Sequence, residues 1–149
     1  MVGVEGAAAS VYLSEYPEVS SEFYTSFDEV LLNGTRAYTF MTVISHSYFH
    51  IYYVDMLPNE VGVWDGTPYY SNYTFCAAVD NSTQHNLTIF VDPVNSKYSV
   101  LVDNQITACT QMDFIVAGLP IVGMGVFGSA MEGDWADFYV DNWKAYTMN

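Results

Sequence analysis

The sequence predicts an all-β domain, a two-sheet antiparallel sandwich, on three observations. The stretch from Asn86 to Asp103 alternates Leu87, Ile89 and Val91 against Thr88 and Phe90. It turns through Asp92 to Lys97, then alternates Tyr98, Val100 and Val102 against Ser99, Leu101 and Asp103. Successive side chains leave a strand on opposite faces, so a period of two with β-branched and aromatic residues on one side is the pattern of a half-buried hairpin. Runs of this kind recur along the chain, about a dozen in all, separated by Gly, Pro, Asn and Asp. No long segment places apolar residues at helical spacing, and neither a heptad nor a repeat of fixed period appears. Many short strands with short turns fold as two packed sheets.

In chain order, Met1 to Ser21 is the least regular part, with Gly3, Gly6 and Ala7-Ala8-Ala9 before Val11 and Leu13 alternate with Tyr12. Residues 1–21 read either as a first strand or as an N-terminal arm able to serve as donor strand to a neighbouring subunit. The sandwich proper is expected over 22–149. A strand is expected around Phe23 to Phe27, and Leu32-Asn33-Gly34-Thr35 is a turn because Asn-Gly accepts positive φ. Ala37 to Ser45 is apolar on both faces, which suits a central strand. Ser47 to Val54 is rich in Tyr, Phe and Ile, Val61 to Trp64 is short, and Asp65-Gly66-Thr67-Pro68 ends it. Tyr73 to Val79 alternates again, and Asp80 to His85 is a polar loop before the hairpin, whose turn Pro93, Asn95 and Ser96 specify. Phe114 to Gly128 is apolar but too short to span a bilayer as a helix, and Gly118, Pro120, Gly123 and Gly125 break it. Two strands joined by a Pro-Gly turn are expected there.

A chain of 149 residues buries about two thirds of its unfolded surface as one domain. Its 17 acidic residues face only Arg36, Lys97 and Lys144, a formal charge of −14. That charge repels phosphate backbones and anionic membranes, which argues against nucleic acid as a partner, and no membrane insertion is expected. Charged residues are nevertheless only 13% of the chain against 51% hydrophobic. A lone sandwich of this size hides less apolar surface than that, so glycan or protein is expected to cover the rest.

Cys76 and Cys109 are the only cysteines, and both lie in strand-like runs; one disulfide is expected, with buried free thiols as the alternative. Of nine asparagines, Asn33, Asn72, Asn81 and Asn86 stand in Asn-X-Ser/Thr and are candidate N-glycosylation sites. With the cysteine pair and the low lysine content they point to an extracellular or cell-surface glycoprotein. Met1 to Ser10 holds no apolar run of a secretory signal, so the chain is expected to be a mature form or an excerpt.

Three phrases carry a resemblance: His85 to Asn104, Gly123-Met-Gly-Val-Phe-Gly128, and Ala136-Asp-Phe-Tyr-Val-Asp-Asn-Trp-Lys-Ala-Tyr146. Together they resemble the back half of a concanavalin A-like, laminin-G-like jelly roll, in which a hairpin ends in a short Val-Asp-Gly/Asn turn and a late strand closes the sheet. The resemblance runs from Tyr38 to Tyr146 and implies the fold rather than an activity. If Asp141-Asn142 forms a bulge, Phe138, Val140, Trp143 and Ala145 are expected to face the core.

Several constellations bear on chemistry. Glu132-Gly133-Asp134-Trp135-Ala136-Asp137 approximates the E-x-D-x-x-E strand of jelly-roll glucanases, and a retaining glycosidase needs carboxyls about 5 to 5.5 Å apart. The third carboxylate is Asp137 rather than Glu and Gly133 replaces an apolar strand residue, so a solvated acidic loop fits better and no catalytic residue is assigned. Asp134, Asp137 and Asp141 are candidate ligands for calcium, a hard cation suited to oxygen donors; no other cofactor is implied. Tyr48, Tyr52, Tyr53, Trp64, Tyr69, Tyr70 and Tyr73 offer either a platform for sugar rings or packing. His46 and His50 stand about 13 Å apart along an extended strand, too far to share a metal. No phosphate loop, nucleophile elbow or Cys-His pairing appears.

The composition leads to an expectation of a non-enzymatic, N-glycosylated extracellular structural subunit. It self-assembles into a filament or coat through strand or arm exchange and aromatic interfaces, with further copies of itself as partner. The alternative is a carbohydrate-binding, lectin-like module with glycans as partners. A glycoside hydrolase stands third.

Overall fold

Period-two patterning gives strands along most of the chain. A computed structural model describes residues 2–5, 8–13, 21–33, 37–45, 50–57, 59–65, 72–80, 83–115, 117–118, 121–130 and 135–147. Among them are β1 (Val2–Glu5), β2 (Ala8–Leu13), β3 (Phe23–Asn33), β4 (Ala37–Ser45), β5 (His50–Leu57), β6 (Glu60–Asp65), β7 (Asn72–Ala78), β8 (His85–Asp92), β9 (Lys97–Val102), β10 (Gln105–Ile106), β11 (Met112–Asp113), β12 (Ile121–Ala130) and β13 (Trp135–Thr147). None of the described residues forms a helix long and apolar enough to cross a membrane.

Two antiparallel sheets result. One has seven strands in the order β1-β13-β3-β8-β9-β10, with β11 also on β9; the other has six, in the order β2-β12-β4-β5-β6-β7. This is the two-sheet sandwich expected from the sequence. The N-terminal stretch lies inside it: β1 pairs with β13, Val2 opposite Phe138, and β2 pairs with β12, Val11 opposite Val126.

The core follows from the alternation on β3, β8 and β9. Cross-strand register lines up Phe23, Val91 and Tyr98, then Thr25, Ile89 and Val100, then Phe27, Leu87 and Val102. All nine are buried, and Val54, Val61, Val63 and Cys76 meet them from the other sheet. Each such apolar side chain contributes about 1.5–3 kcal/mol by leaving water.

Two turns fix the hairpins beside this core. Between β8 and β9 the Asn95 backbone N–H and side-chain amide both donate to the Asp92 carboxylate, at 3.0 and 2.7 Å, and Ser96 takes positive φ. Those bonds hold the Asp92 carboxyl below its ordinary range. Between β9 and β10, Asp103 and Asn104 have φ of 50° and 61°, the two-residue turn whose twist matches paired strands. It is the short turn that the resemblance implied.

Two expectations need correction. Among the described residues, Phe114 to Gly128 holds one strand rather than two: Gly118 turns at φ 75°, and β12 starts at Ile121. Its glycines are weak strand formers, but β2 and β4 hold β12 from both sides, so ladder bonds outweigh the entropic penalty. On β13 the expected bulge is present, with Asp141 opposite Asp28, Lys144 opposite Ser26 and Asn142 at φ 53°. Ala145 beyond it is exposed rather than in the core. The β1 partner reaches only Trp135 to Phe138, so the later part of β13 is a sheet edge among the described residues.

Cys76 and Cys109 form the expected disulfide, with Cα atoms 4.9 Å apart. Cys76 lies on β7, the edge of the six-stranded sheet; Cys109 lies between β10 and β11, and its carbonyl accepts from the Val100 N–H of β9. The bridge staples two sheets along one edge.

Candidate ligand-binding face

Because Phe23, Thr25 and Phe27 point inward, their neighbours Tyr24, Ser26 and Asp28 point out of the seven-stranded sheet. Register sets them in three rows across β13, β3, β8 and β9. The first row is Tyr146, Tyr24, Phe90 and Ser99; the second is Lys144, Ser26, Thr88 and Leu101; the third is Asp141, Asp28 and Asn86. Asp103 in the following turn closes the third row. The patch measures about 14 Å in each direction. Its centre is recessed and its rim exposed: Thr88 is 6% accessible, Tyr146 51%.

The first row is aromatic. The Tyr24 ring lies 5.0 Å from Phe90 and 5.5 Å from Tyr146, nearly parallel to the latter at 23°. The other two rows are a hydrogen-bonded floor centred on Asn86. Its side-chain amide donates to Asp28 Oδ1 at 2.8 Å and to Ser26 Oγ at 3.0 Å, with the Phe27 carbonyl at 3.4 Å. Its Oδ1 lies 3.0 Å from the Thr88 hydroxyl. The Asn142 amide, aimed by the bulge, donates to Asp28 Oδ2 at 2.7 Å. These bonds from Asn86 and Asn142 hold the Asp28 carboxyl below its ordinary range.

A charged pair ends the floor. Asp103 accepts the Asn86 backbone N–H at 2.8 Å through one oxygen and meets His85 Nδ1 at 2.7 Å through the other. His85 Nε2 lies 2.7 Å from the Asp80 carbonyl and 3.1 Å from the Thr83 hydroxyl. Burial disfavours the imidazolium, yet an acceptor at each ring nitrogen outweighs it and raises the His85 pKa. Burial likewise opposes ionisation of Asp103, but the His85 and Asn86 bonds prevail and lower its pKa. A raised histidine stabilises the fold fully below 6.5 and loses that contribution as pH climbs through its folded value. A lowered aspartate contributes fully above 3.8 and loses it as pH falls through its folded value. The advantage of wild type over His85→Gln in urea unfolding is therefore expected to be largest between those two pH values and to shrink above them. Asp103 is half exposed, so its size stays below about 1 kcal/mol.

The opposite face of the sandwich carries a smaller aromatic group. Trp64 and Tyr73 have ring centroids 5.1 Å apart, and Phe75, two residues on along β7, is about half exposed. The Tyr73 ring lies over Gly62, where an added Cβ would come within 2.2 Å of it, and its hydroxyl donates to Glu60 at 2.7 Å. Gly62→Ala is expected to swing the Tyr73 ring outward, changing near-UV circular dichroism while stability falls by only about 1–3 kcal/mol.

The residues singled out from sequence are distributed unevenly over these features. Trp64 and Tyr73 are together; Tyr52 and Tyr53 lie on β5, and Tyr48, Tyr69 and Tyr70 fall outside the described residues. Asp137 and Asp141 both lie on β13; Asp134 and Glu132 fall outside the described residues. No three His, Cys, Asp or Glu side chains converge as metal ligands among the described residues. His50 begins β5, and His46 is not described. Among the sequons, Asn33 ends β3, Asn72 is exposed at the start of β7, and Asn81 is not described. Asn86 is the centre of the floor, and its nitrogen, the atom a glycan would take, already faces three acceptors. Peptide mapping of protein from a glycosylating host is expected to find Asn86 unmodified and Asn72 carrying glycan.

Sequence reading missed Tyr24, Ser26, Asp28, Phe90, Tyr146 and Asn142 as one group. Their shared signal, polar or aromatic residues at alternate positions, is present in each strand separately. Only the pairing of β13, β3 and β8 brings them together.

The fold is a jelly-roll sandwich of the concanavalin A-like type, as comparison with solved structures shows. A sialidase matches at a TM-score of 0.80 and 12% identity over 99% of this chain, which spans only 15% of the sialidase. The carbohydrate recognition domain of Emp47p matches at 0.64 and 12% identity, covering 96% of this chain and 79% of that one. Sheep galectin-11 matches at 0.59 and 13% identity, covering 96% and 98%. No protein-family model matches the chain, and comparison with curated proteins finds no match.

Proposed function

We propose that the chain is a carbohydrate-binding, lectin-like module that holds glycan on the outer face of the seven-stranded sheet. The observation that carries this reading is the aromatic row Tyr146, Tyr24 and Phe90 lying beside the polar floor of Ser26, Asp28, Asn86 and Thr88. A sugar ring has apolar faces and hydroxyl edges, and a site for it needs aromatic surface next to fixed hydrogen-bonding groups. Neighbours in fold named as a carbohydrate recognition domain and a galectin support the same reading.

Self-assembly by arm exchange, the first expectation from composition, has less behind it. A donor arm needs unpaired backbone to offer, whereas β1 and β2 already pair within this chain. The proposed module binds without cleaving. Asp28 and Asp103, held below the ordinary carboxylate range, are poor general acids near neutral pH. The disulfide supports a secreted or lumenal setting.

A glycan array followed by calorimetric titration tests the proposal. Binding of at least one oligosaccharide is expected, weakened about ten-fold or more by Tyr24→Ala with the circular dichroism spectrum preserved. Binding that Tyr24→Ala leaves intact contradicts it.

A further inference from the structure

We propose that this face selects uncharged glycans and discriminates against glycans bearing carboxylates, such as those ending in sialic or uronic acids. The inference rests on the glycan-binding reading above and adds the class of sugar.

Two properties of the face carry it. The first is a donor and acceptor census. Both Asn86 amide hydrogens go to Asp28 and Ser26, the Thr88 hydroxyl hydrogen to Ser26 or Asn86, and one Asn142 amide hydrogen to Asp28. The Asn86 backbone N–H goes to Asp103. Acceptor capacity is left facing outward: a carboxylate offers about four lone-pair sites, and Asp103 uses two of them, on the Asn86 N–H and His85. A floor of acceptors suits sugar hydroxyls, which donate. A carboxylate only accepts, so against the free lone pairs of Asp103 it would set acceptor against acceptor.

The second property is charge. Asp28, Asp103 and Asp141 all stand in the third row or its closing turn, and the pKa values of Asp28 and Asp103 are lowered, which keeps them ionised near neutral pH. Lys144 is the one lysine or arginine on the face among the described residues, and it lies in the row next to Asp28. His85 is paired to Asp103. A chain of formal charge −14 adds a field of the same sign. With Asp103 partnered by His85, Asp28 and Asp141 still outnumber Lys144 on the face, so an anionic sugar meets net repulsion.

Matched pairs of probes test the proposal on the intact chain: lactose against sialyl-lactose, and a neutral glucan oligomer against a uronate oligomer of equal length, titrated at low and at physiological salt. The neutral member that binds is expected to be about ten-fold tighter than its carboxylated partner at low salt, with the gap narrowing as salt screens the repulsion. A carboxylated member binding as tightly as its neutral partner, or tighter, overturns the selectivity while leaving glycan binding in place. Failure of every probe, neutral ones included, across a full glycan array overturns the glycan-binding reading and this inference with it.

Discussion

Replacing Cys76 and Cys109 together by alanine lowers the melting temperature by about 10 °C. The bridge closes a span of 33 residues. Removing that constraint from the unfolded chain costs about 4 kcal/mol on the chain-entropy model. For a domain of this size each kcal/mol moves the midpoint by about 2–4 °C. Position adds to chain entropy here, because the bridge joins the open β7 edge of one sheet to the segment between β10 and β11 that borders β9 in the other. Reduction of the wild-type protein should give the same midpoint as the double variant. A double variant melting within about 2 °C of the oxidised protein would show that the edge holds without its staple.

The second large effect is expected from Asn86→Asp. The substitution keeps the shape and exchanges the amide that donates to Asp28 for a carboxylate 2.8 Å from it. Two carboxylates at that distance cannot both ionise cheaply, so one folded-state pKa rises. An acid whose pKa is raised on folding loses stability as pH climbs through the raised value. The variant is therefore expected to lie about 2–3 kcal/mol below wild type at pH 7 and to approach it near pH 4. Adding Asp28→Asn restores a donor and acceptor across the same gap with the roles exchanged, and should recover more than half of the loss at pH 7. A pH-independent penalty, or no recovery in the double variant, would mean that the floor is not organised by the Asn86 to Asp28 bond.

The fold was largely legible in the sequence because sandwich strands report themselves locally. The alternation from Leu87 to Val102 names its own buried face, and Leu87, Ile89, Val91, Tyr98, Val100 and Val102 are all buried. The tripeptide Val102-Asp103-Asn104 announces a tight turn because Asp and Asn tolerate positive φ. Glycine misled at Phe114 to Gly128: read locally it breaks strands, but between two flanking strands it is carried by its neighbours' ladders. The candidate face was nearly illegible for a related reason. Asp28 bonds to residues 58 and 114 positions away, and nothing near Asp28 in the chain signals either partner. Asn86 read as a glycosylation site, since Asn-Leu-Thr has the right letters; the three-dimensional pairing engages its amide with Asp28 and Ser26 on the same face. The aromatic platform sought among the tyrosines from 48 to 73 placed two rings, Trp64 and Tyr73, on the opposite side of the sandwich from Tyr24 and Tyr146.

The location of glycan on the seven-stranded sheet is tested most directly by amide chemical-shift mapping of the ¹⁵N-labelled chain during titration with the tightest oligosaccharide from the array. The perturbed amides are expected to cluster at Tyr24 to Asp28, Asn86 to Phe90 and Asn142 to Tyr146, three segments far apart in sequence and adjacent in the sheet. A cluster at Gly62, Trp64, Tyr73 and Phe75 would put the ligand on the other face and contradict the account.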